Sequence, residues 1–346
     1  MQPLSLLNIE DIQVFAEATV ESSIMMLQNS KNDAPFFVAN LIKDYVIGTS
    51  LSDYFKKNSF EYKIPETSEW VIGNEITGLL KSKIERNSKL LKDFNIQINR
   101  GLLTGYNAAF IIDKDVKNKL IIEEPKSLEI IKPILRGRDL KMYSFEFSNQ
   151  WCICTFPSLG LNIDDYPAIL NHFRSFGKSR LEQLGFKDGR KKTNNEWFET
   201  QDAISYWEDF EKPKIIWGEI SDKPKFAYDD GNFYAEATTF IMTGEKLKFL
   251  LAILNSKVSE WYFNQIGTTT GMGTNRWKKY KIEMLPIKVP SETIQIQIET
   301  LVDRIILLKK DNPTYDTSSI ESEIDQLVYQ LYELTGDEIL IIEGTI

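Results

Sequence analysis

The sequence predicts an α+β fold: a mixed, strand-rich domain, a C-terminal antiparallel helix pair, and an N-terminal β-hairpin and helix segment. Three observations predict it. Short β-branched and aromatic runs recur between residues 96 and 290, separated by turn residues. After Pro286 and Pro290, apolar residues repeat at 4-3-4-3 spacing. Near the N-terminus, two apolar runs at 13–28 and 36–41 flank the polar stretch Asn29–Asp33, the pattern of a hairpin.

The elements follow in order. The N-terminal hairpin is too small to stand alone, because an isolated two-stranded ribbon is marginal in water. Residues 75–94 place Ile76, Leu79, Leu80, Ile84, Leu90 and Leu91 at helical spacing. Strands are expected at 108–113, 119–123, 151–156, 214–220, 225–229, 232–235 and 238–242, with Asp229-Asp230-Gly231-Asn232 as a hairpin turn. Asp164-Asp165-Tyr166-Pro167 reads as the start of a helix reaching about Leu184. A second helix over 245–263 turns Leu247, Leu250, Leu251, Leu254, Val258 and Trp261 inward. The tail forms two amphipathic helices, one through Ile294, Ile298, Leu301, Ile305 and Leu308, the other through Ile320, Ile324, Leu327, Leu331 and Leu334.

Composition narrows the function classes. The 346 residues are 42% apolar and 12% aromatic, enough for a substantial core. No run approaches bilayer length, and no basic-then-apolar segment follows Met1. Cys152 and Cys154 share one strand face and build no disulfide framework, and with His172 as the single histidine a zinc site lacks ligands. A cytoplasmic protein without a structural metal is expected. The net charge of −9 argues against a polyanionic partner until it is mapped. Residues 282–346 hold thirteen acids and four bases, which accounts for all of it, whereas 96–281 carries a small positive excess. That middle part has two basic clusters, Lys178, Arg180, Lys187, Arg190, Lys191 and Lys192, then Arg276, Lys278, Lys279 and Lys281. Phe186 and Trp197 lie near the first, Trp277 and Tyr280 near the second. Basic residues interleaved with aromatics fit nucleic-acid contact as well as solvated surface.

The loop Ile98-Asn99-Arg100-Gly101-Leu102-Leu103-Thr104-Gly105-Tyr106-Asn107 concentrates hydrogen-bonding groups between two glycines four apart. Glycine lets a backbone approach a ligand closely, and Arg, Thr and Asn reach phosphates and base edges. The plain alternative is a decorated turn. Catalytic sets are scarce. Asn312-Pro313-Thr314-Tyr315 has Thr where an adenine-methylating Asn-Pro-Pro-aromatic loop needs Pro, and it reads as a helix-stop turn. Asp113 with Glu124-Pro125-Lys126 outlines a metal-dependent nuclease only loosely. His172 has no nucleophile coupled to it and is expected on a helix surface. Gly271-Met272-Gly273 lacks the Gly-Lys-Ser/Thr of a phosphate loop.

Taken in order, several segments resemble the TaqI-like C-terminal specificity region of type IIG restriction–modification enzymes. They are Arg100–Ile111, Ile134-Leu135-Arg136-Gly137-Arg138-Asp139-Leu140 leading to Trp151, Tyr166-Pro167-Ala168-Ile169, Lys212-Pro213-Lys214-Ile215-Ile216-Trp217, Leu254-Asn255-Ser256, Leu285-Pro286, and a tail from Ile324 to Ile339. The N-terminal hairpin is similar to the last strands of the methyltransferase core in such enzymes. The resemblance implies four parts: a methyltransferase-tail-like segment over 1–66, a linker helix over 67–95, a target-recognition domain over 96–290, and a helical pair over 291–346 packing on it.

It further implies sequence-specific recognition of double-stranded DNA, non-catalytic by itself, beside methyltransferase or nuclease domains or subunits. S-adenosylmethionine and Mg²⁺ would belong to those catalytic parts, which the resemblance puts upstream. The residues expected at the nucleic acid are Arg100, Thr104, Asn107, Arg136, Arg138, Lys178, Arg180, Arg190, Lys191, Lys192, Thr268, Thr269, Asn275, Arg276 and Lys278. Arg136 and Asp139 could instead form a structural pair, and Trp151, Trp217 and Tyr166 are expected in the core rather than stacked on bases. The rivals are an interaction or scaffold protein using the helical pair, and a metal-dependent nuclease built on Asp113 and Glu124.

Overall fold

The structure is a computed structural model, and it describes residues 1–9, 14–15, 22–30, 34–41, 45–46, 48–63, 75–185, 189–266 and 275–345. Two four-stranded sheets carry the middle of the chain. The central sheet is antiparallel throughout, in the order Ala227–Asp229, Lys214–Gly218, Thr239–Gly244, Ile96–Arg100. Side chains alternate across it. Ile215, Trp217, Phe240 and Met242 enter one core, and Ile216, Ala227 and Ile241 enter the other. This double burial explains why Lys214–Gly218 reads as an almost continuous apolar run.

The first core is helical. Leu247–Asn255 and Lys257–Ile266 pack there with the long C-terminal helices Glu292–Asp311 and Ser318–Leu331. Leu80 and Ile84 of the helix Glu75–Glu85 join the same core, and the strand Ser88–Leu90 pairs with Pro286–Lys288. The second core lies under a sheet ordered Tyr234–Ala235, Ile131–Leu135, Gln150–Ile153, Ile111–Asp113, in which only the first pairing is parallel. The helix Pro167–Ser175 covers it with Ile169 and Phe173. A separate N-terminal sheet has small cores of its own around Leu7 and Phe36.

Several expected elements are replaced. The apolar runs at 22–28 and 36–40 do not pair with one another. The strand Gln2–Ile9 lies between them, antiparallel to Ser22–Gln28 and parallel to Phe36–Asn40, with Phe60–Tyr62 at the far edge. Residues 13 and 16–21 of the expected first strand fall outside the described residues. The expected strand over 108–113 is shortened, and the one over 119–123 is overturned. Asn107–Phe110 is one helical turn, only Ile111–Asp113 is strand, and Lys114–Glu123 is a helix capped by Asp113, whose carboxylate accepts from the Val116 N–H at 2.9 Å. A capped start overrides the β-branched composition of the segment.

The helix expected from 164 to 184 breaks at Gly177, which takes φ of 85°, and continues only as Lys178–Leu181. The helix expected over 245–263 divides at Ser256, whose hydroxyl accepts from the Ser259 N–H. The turn at 229–232 is not a hairpin. Its flanking strands join different sheets, and the Asp229 carboxylate gathers the N–H groups of Gly231, Asn232 and Phe233. The tail adds a third helix, Gly336–Ile342, behind a Thr335–Glu338 capping box.

Candidate nucleic-acid interface

The glycine loop leaves the edge strand of the central sheet at Arg100 and runs beside residues 235–236. The Leu102 N–H donates to Ala235 O at 2.8 Å. A Cβ on Gly101 would stand 2.0 Å from the Glu236 carbonyl oxygen, so the close approach that this glycine permits is to the protein's own backbone. Gly105 takes φ of 77° and sits against Gln201 and Arg190.

Two expected contact residues are withdrawn into this framework. Thr104 is fully buried, its hydroxyl donating to Asn107 Oδ1 at 2.5 Å. Arg190 is 2% exposed, and its guanidinium donates to the carbonyls of Leu181, Thr104, Glu199 and Trp197 at 2.6–2.9 Å. Burial lowers the Arg190 pKa to about 10, so it remains cationic at neutral pH as a clamp on four peptide groups. Neither group is available to a ligand. Asn107 stays exposed and donates to Glu236 Oε1 at 3.2 Å, while Thr238 donates to the other carboxylate oxygen at 2.8 Å.

The Arg136–Asp139 turn stands beside this network. Arg136 is the structural pair that its sequence allowed. Its N–H and guanidinium both meet the buried Asp139 carboxylate, and Nη2 donates to Ser148 at 2.7 Å. Arg138 is different: it is exposed and has no hydrogen-bonding or ionic partner among the described residues. Gly137 passes Gly218 so closely that a Cβ on Gly218 would lie 3.4 Å from the Gly137 Cα. Between the turn and the loop opens a cleft of about 510 Å³, with Asn107, Arg138, Gln150, Glu236 and Thr238 on its walls.

In the first basic cluster, cations lie over aromatic rings. The Arg180 guanidinium lies over Tyr106, 4.5 Å from the ring centre, and Lys178 Nζ lies 5.8 Å from the centre of Trp197. Lys191 and Lys192 project into solvent, whereas Phe186 and Lys187 fall outside the described residues. Arg100 and Arg276 converge on Glu219, at 3.9 Å and 3.7 Å. Asn275 is engaged by Asn264 at 2.6 Å, Lys278 is half-buried, and Lys279 Nζ donates to Ile98 O. Thr268 and Thr269 lie outside the described residues.

The rest of the predicted chemistry resolves as structure. Trp217 is buried and donates to Trp277 O at 2.9 Å, and Tyr166 is buried with its hydroxyl on Glu129. Trp151 is half-buried under Lys117. His172 is not a surface residue but half-buried, with Nε2 2.9 Å from Ala109 O, and burial lowers its pKa. Asp113 and Glu124 flank opposite ends of a ten-residue helix, about 16 Å apart at the α-helical rise, so they do not converge on one ion. No cluster of three or more metal-ligating side chains occurs among the described residues. Glu219, Gln150, Glu236 and Thr238 escape a sequence search for basic and aromatic contacts, because two of them are acids and their placement depends on the sheets.

The order of these segments and the mixed sheets carrying them meet the family comparison at this point. A model of the TaqI-like C-terminal specificity domain matches residues 132–287. Residues 132–287, a little under half of the chain, are similar to that domain. The matched segment includes the Arg136–Asp139 turn, the first basic cluster and Arg276. A relative in Methanocaldococcus jannaschii, the type II methyltransferase M.MjaIV, is 24% identical over 254 residues, which is 69% of this chain and 79% of that protein. Among solved structures, the type IIL restriction–modification enzyme MmeI in complex with DNA matches 99% of this chain with a TM-score of 0.56 at 13% identity. The type IIG restriction endonuclease BpuSI matches 95% with a TM-score of 0.46 at 14% identity. The chain spans 45% and 43% of those two enzymes, less than half of either. No helix among the described residues is long and apolar enough to cross a membrane.

Proposed function

We propose that this chain recognises a specific duplex DNA sequence as the specificity part of a type IIG-like restriction–modification enzyme and performs no catalytic step by itself. The observation that carries this reading is the match to the specificity domain at 132–287, together with the polar cleft beside the Arg136–Asp139 turn. Lys178, Arg180, Lys191 and Lys192 hold phosphates on one side of the cleft. Arg100 and Arg276 do so on the other, giving affinity that falls as salt rises. The polar groups on the cleft walls face the groove. Arg138, with its donors unengaged, offers a bidentate pair to an acceptor edge such as guanine O6 and N7.

Methyl transfer with S-adenosylmethionine, and Mg²⁺-dependent cleavage, belong in this reading to other domains or subunits acting beside the chain in the cytoplasm. A gel-shift titration on a randomised duplex library tests it, followed by sequencing of the retained DNA. Binding at about 50 mM salt with enrichment of one motif is expected. Absence of any binding at that salt, where phosphate contacts are strongest, overturns the reading.

A further inference from the structure

We propose that Glu219 is a built-in counter-charge, which weakens the grip of this face on DNA of any sequence so that tight binding depends on contacts made only at the target. The inference rests on the DNA reading above and assigns a role to an acid lying between two of its cations.

Arg100 ends an edge strand of the central sheet, and Arg276 lies in a two-residue strand paired with Ile220–Ser221. Glu219 sits between these elements, with its backbone fixed on both sides. Its N–H donates to Thr238 O at 2.9 Å, and its carbonyl accepts from the Trp277 N–H at 2.7 Å. Each carboxylate oxygen faces one guanidinium, Oε2 facing Arg100 and Oε1 facing Arg276. The three side chains are 21%, 54% and 42% exposed, in the order Glu219, Arg100, Arg276.

Stability does not explain this arrangement, since ion pairs this open to solvent contribute little. The spacing does not fit tight bonding either. Charge-assisted hydrogen bonds are about 2.7–2.9 Å long, and these pairs are looser. The N–H groups therefore remain open to a phosphate, while the carboxylate occupies the place of an anion between the guanidiniums. Arg100 is held from behind by a 2.8 Å bond from Nε to Ala237 O, so it stays in reach of Glu219. Asp202 adds a second acid within electrostatic range of Arg100 and Lys191.

A phosphate arriving here must share both arginines with a fixed negative charge. That cost is the same for every sequence, because no base edge enters into it. It lowers affinity for random DNA and reduces the net number of counterions released. Glu219 thus acts as a positioning residue that tunes Arg100 and Arg276.

The test titrates the full chain with one random-sequence duplex across a salt series. Glu219→Gln is expected to bind about 3- to 10-fold tighter at low salt, with a steeper fall of affinity against salt than wild type. Adding Arg276→Ala to it should abolish the gain. A purely structural role would leave the salt slope unchanged. Equal or weaker binding by Glu219→Gln, with wild type binding normally, overturns the counter-charge role alone. Failure of wild type to bind any duplex overturns the DNA reading, and this inference with it. If Glu219→Gln melts well below wild type, Glu219→Asp replaces it, its shorter arm drawing the charge back from both arginines with the same expected sign.

Discussion

The Arg190 guanidinium donates to the Thr104 carbonyl oxygen at 2.9 Å, joining two segments 86 residues apart. Both residues have side chains suited to DNA, and the fold uses both internally, the Arg190 guanidinium on backbone carbonyls and the Thr104 hydroxyl on Asn107. Arg190 also holds three further carbonyls. Removing it leaves buried carbonyls without donors, each a costly loss. Arg190→Ala is expected to lower stability by about 3–5 kcal/mol, the range for breaking a buried charged network. Arg190→Lys should recover only part of this, because an ammonium cannot reproduce the planar fork. Urea denaturation monitored by tryptophan fluorescence checks both, and a loss under about 1 kcal/mol for Arg190→Ala would contradict the clamp.

Gly101 gives a second measure of how the loop is built. A methyl group there overlaps the backbone of Ala235 and Glu236, so Gly101→Ala must force the loop away from its neighbour. The expected cost is about 3 kcal/mol or more, at the upper end for overpacking. At Gly160 a Cβ meets nothing within 4 Å, but its φ of 58° strains any replacement. Gly78 lies in a helix with open space around it, so Gly78→Ala should stabilise by about 0.5–1 kcal/mol. Paired thermal melts of the two variants test the opposite signs.

Asp325 makes stability depend on pH. It lies in the helix Ser318–Leu331 and accepts the Lys257 N–H at 2.9 Å. Burial raises its pKa to about 6; the Lys257 N–H and charge oppose this, and Glu343 and Glu321 add to it. Its ordinary value is 3.8. Between these values the folded chain binds more protons than the unfolded chain. Stability therefore falls as pH rises from about 4 to about 6, and the loss is complete by about pH 7. Asp325→Asn keeps an acceptor for Lys257 without the charge. It should be about 2 kcal/mol more stable than wild type at neutral pH, and the gap should close below about pH 4. Denaturant melts over that range decide it, and a pH-independent gap would rule out the titration of Asp325 as the cause.

Arg138 separates base reading from phosphate grip. Arg138→Ala is expected to relax the enriched motif at one position, by about 10- to 100-fold in relative affinity, with little change in salt slope. Uniform weakening across all sequences, with the slope reduced by about one, would assign Arg138 to a phosphate instead. Selection from a randomised library with both proteins in parallel reads out either result.

Much of the fold was legible in the sequence. The 4-3-4-3 spacing in the tail settles its two long helices, and Ile298, Ile305, Ile320 and Ile324 are buried where the pattern puts them. The run Lys214–Gly218 and the strand Thr239–Gly244 likewise follow from β-branched and aromatic composition. Periodicity is a local property, so it survives in the linear chain. Strand partners are not local. Nothing near Ser22–Gln28 announces that Gln2–Ile9 separates it from Phe36–Asn40, and capping by Asp113 turned an expected strand into a helix.

The candidate site divides the same way. The sequence by itself determined which residue types crowd the loop, the Arg136–Asp139 turn and the two basic clusters, and it showed that 96–281 escapes the acidity of the tail. Tertiary structure decided which of those groups remain free. Thr104 is consumed by the nearby Asn107 side chain, Arg190 by backbone carbonyls that include that of Thr104, and Arg136 by Asp139, whereas Arg138 has no partner among the described residues. It also brought Glu219 between Arg100 and Arg276, and Glu236 opposite Asn107. The physical reason is that every buried donor and acceptor must find a partner, and which partners lie within 3 Å is set by how the two sheets and their loops pack.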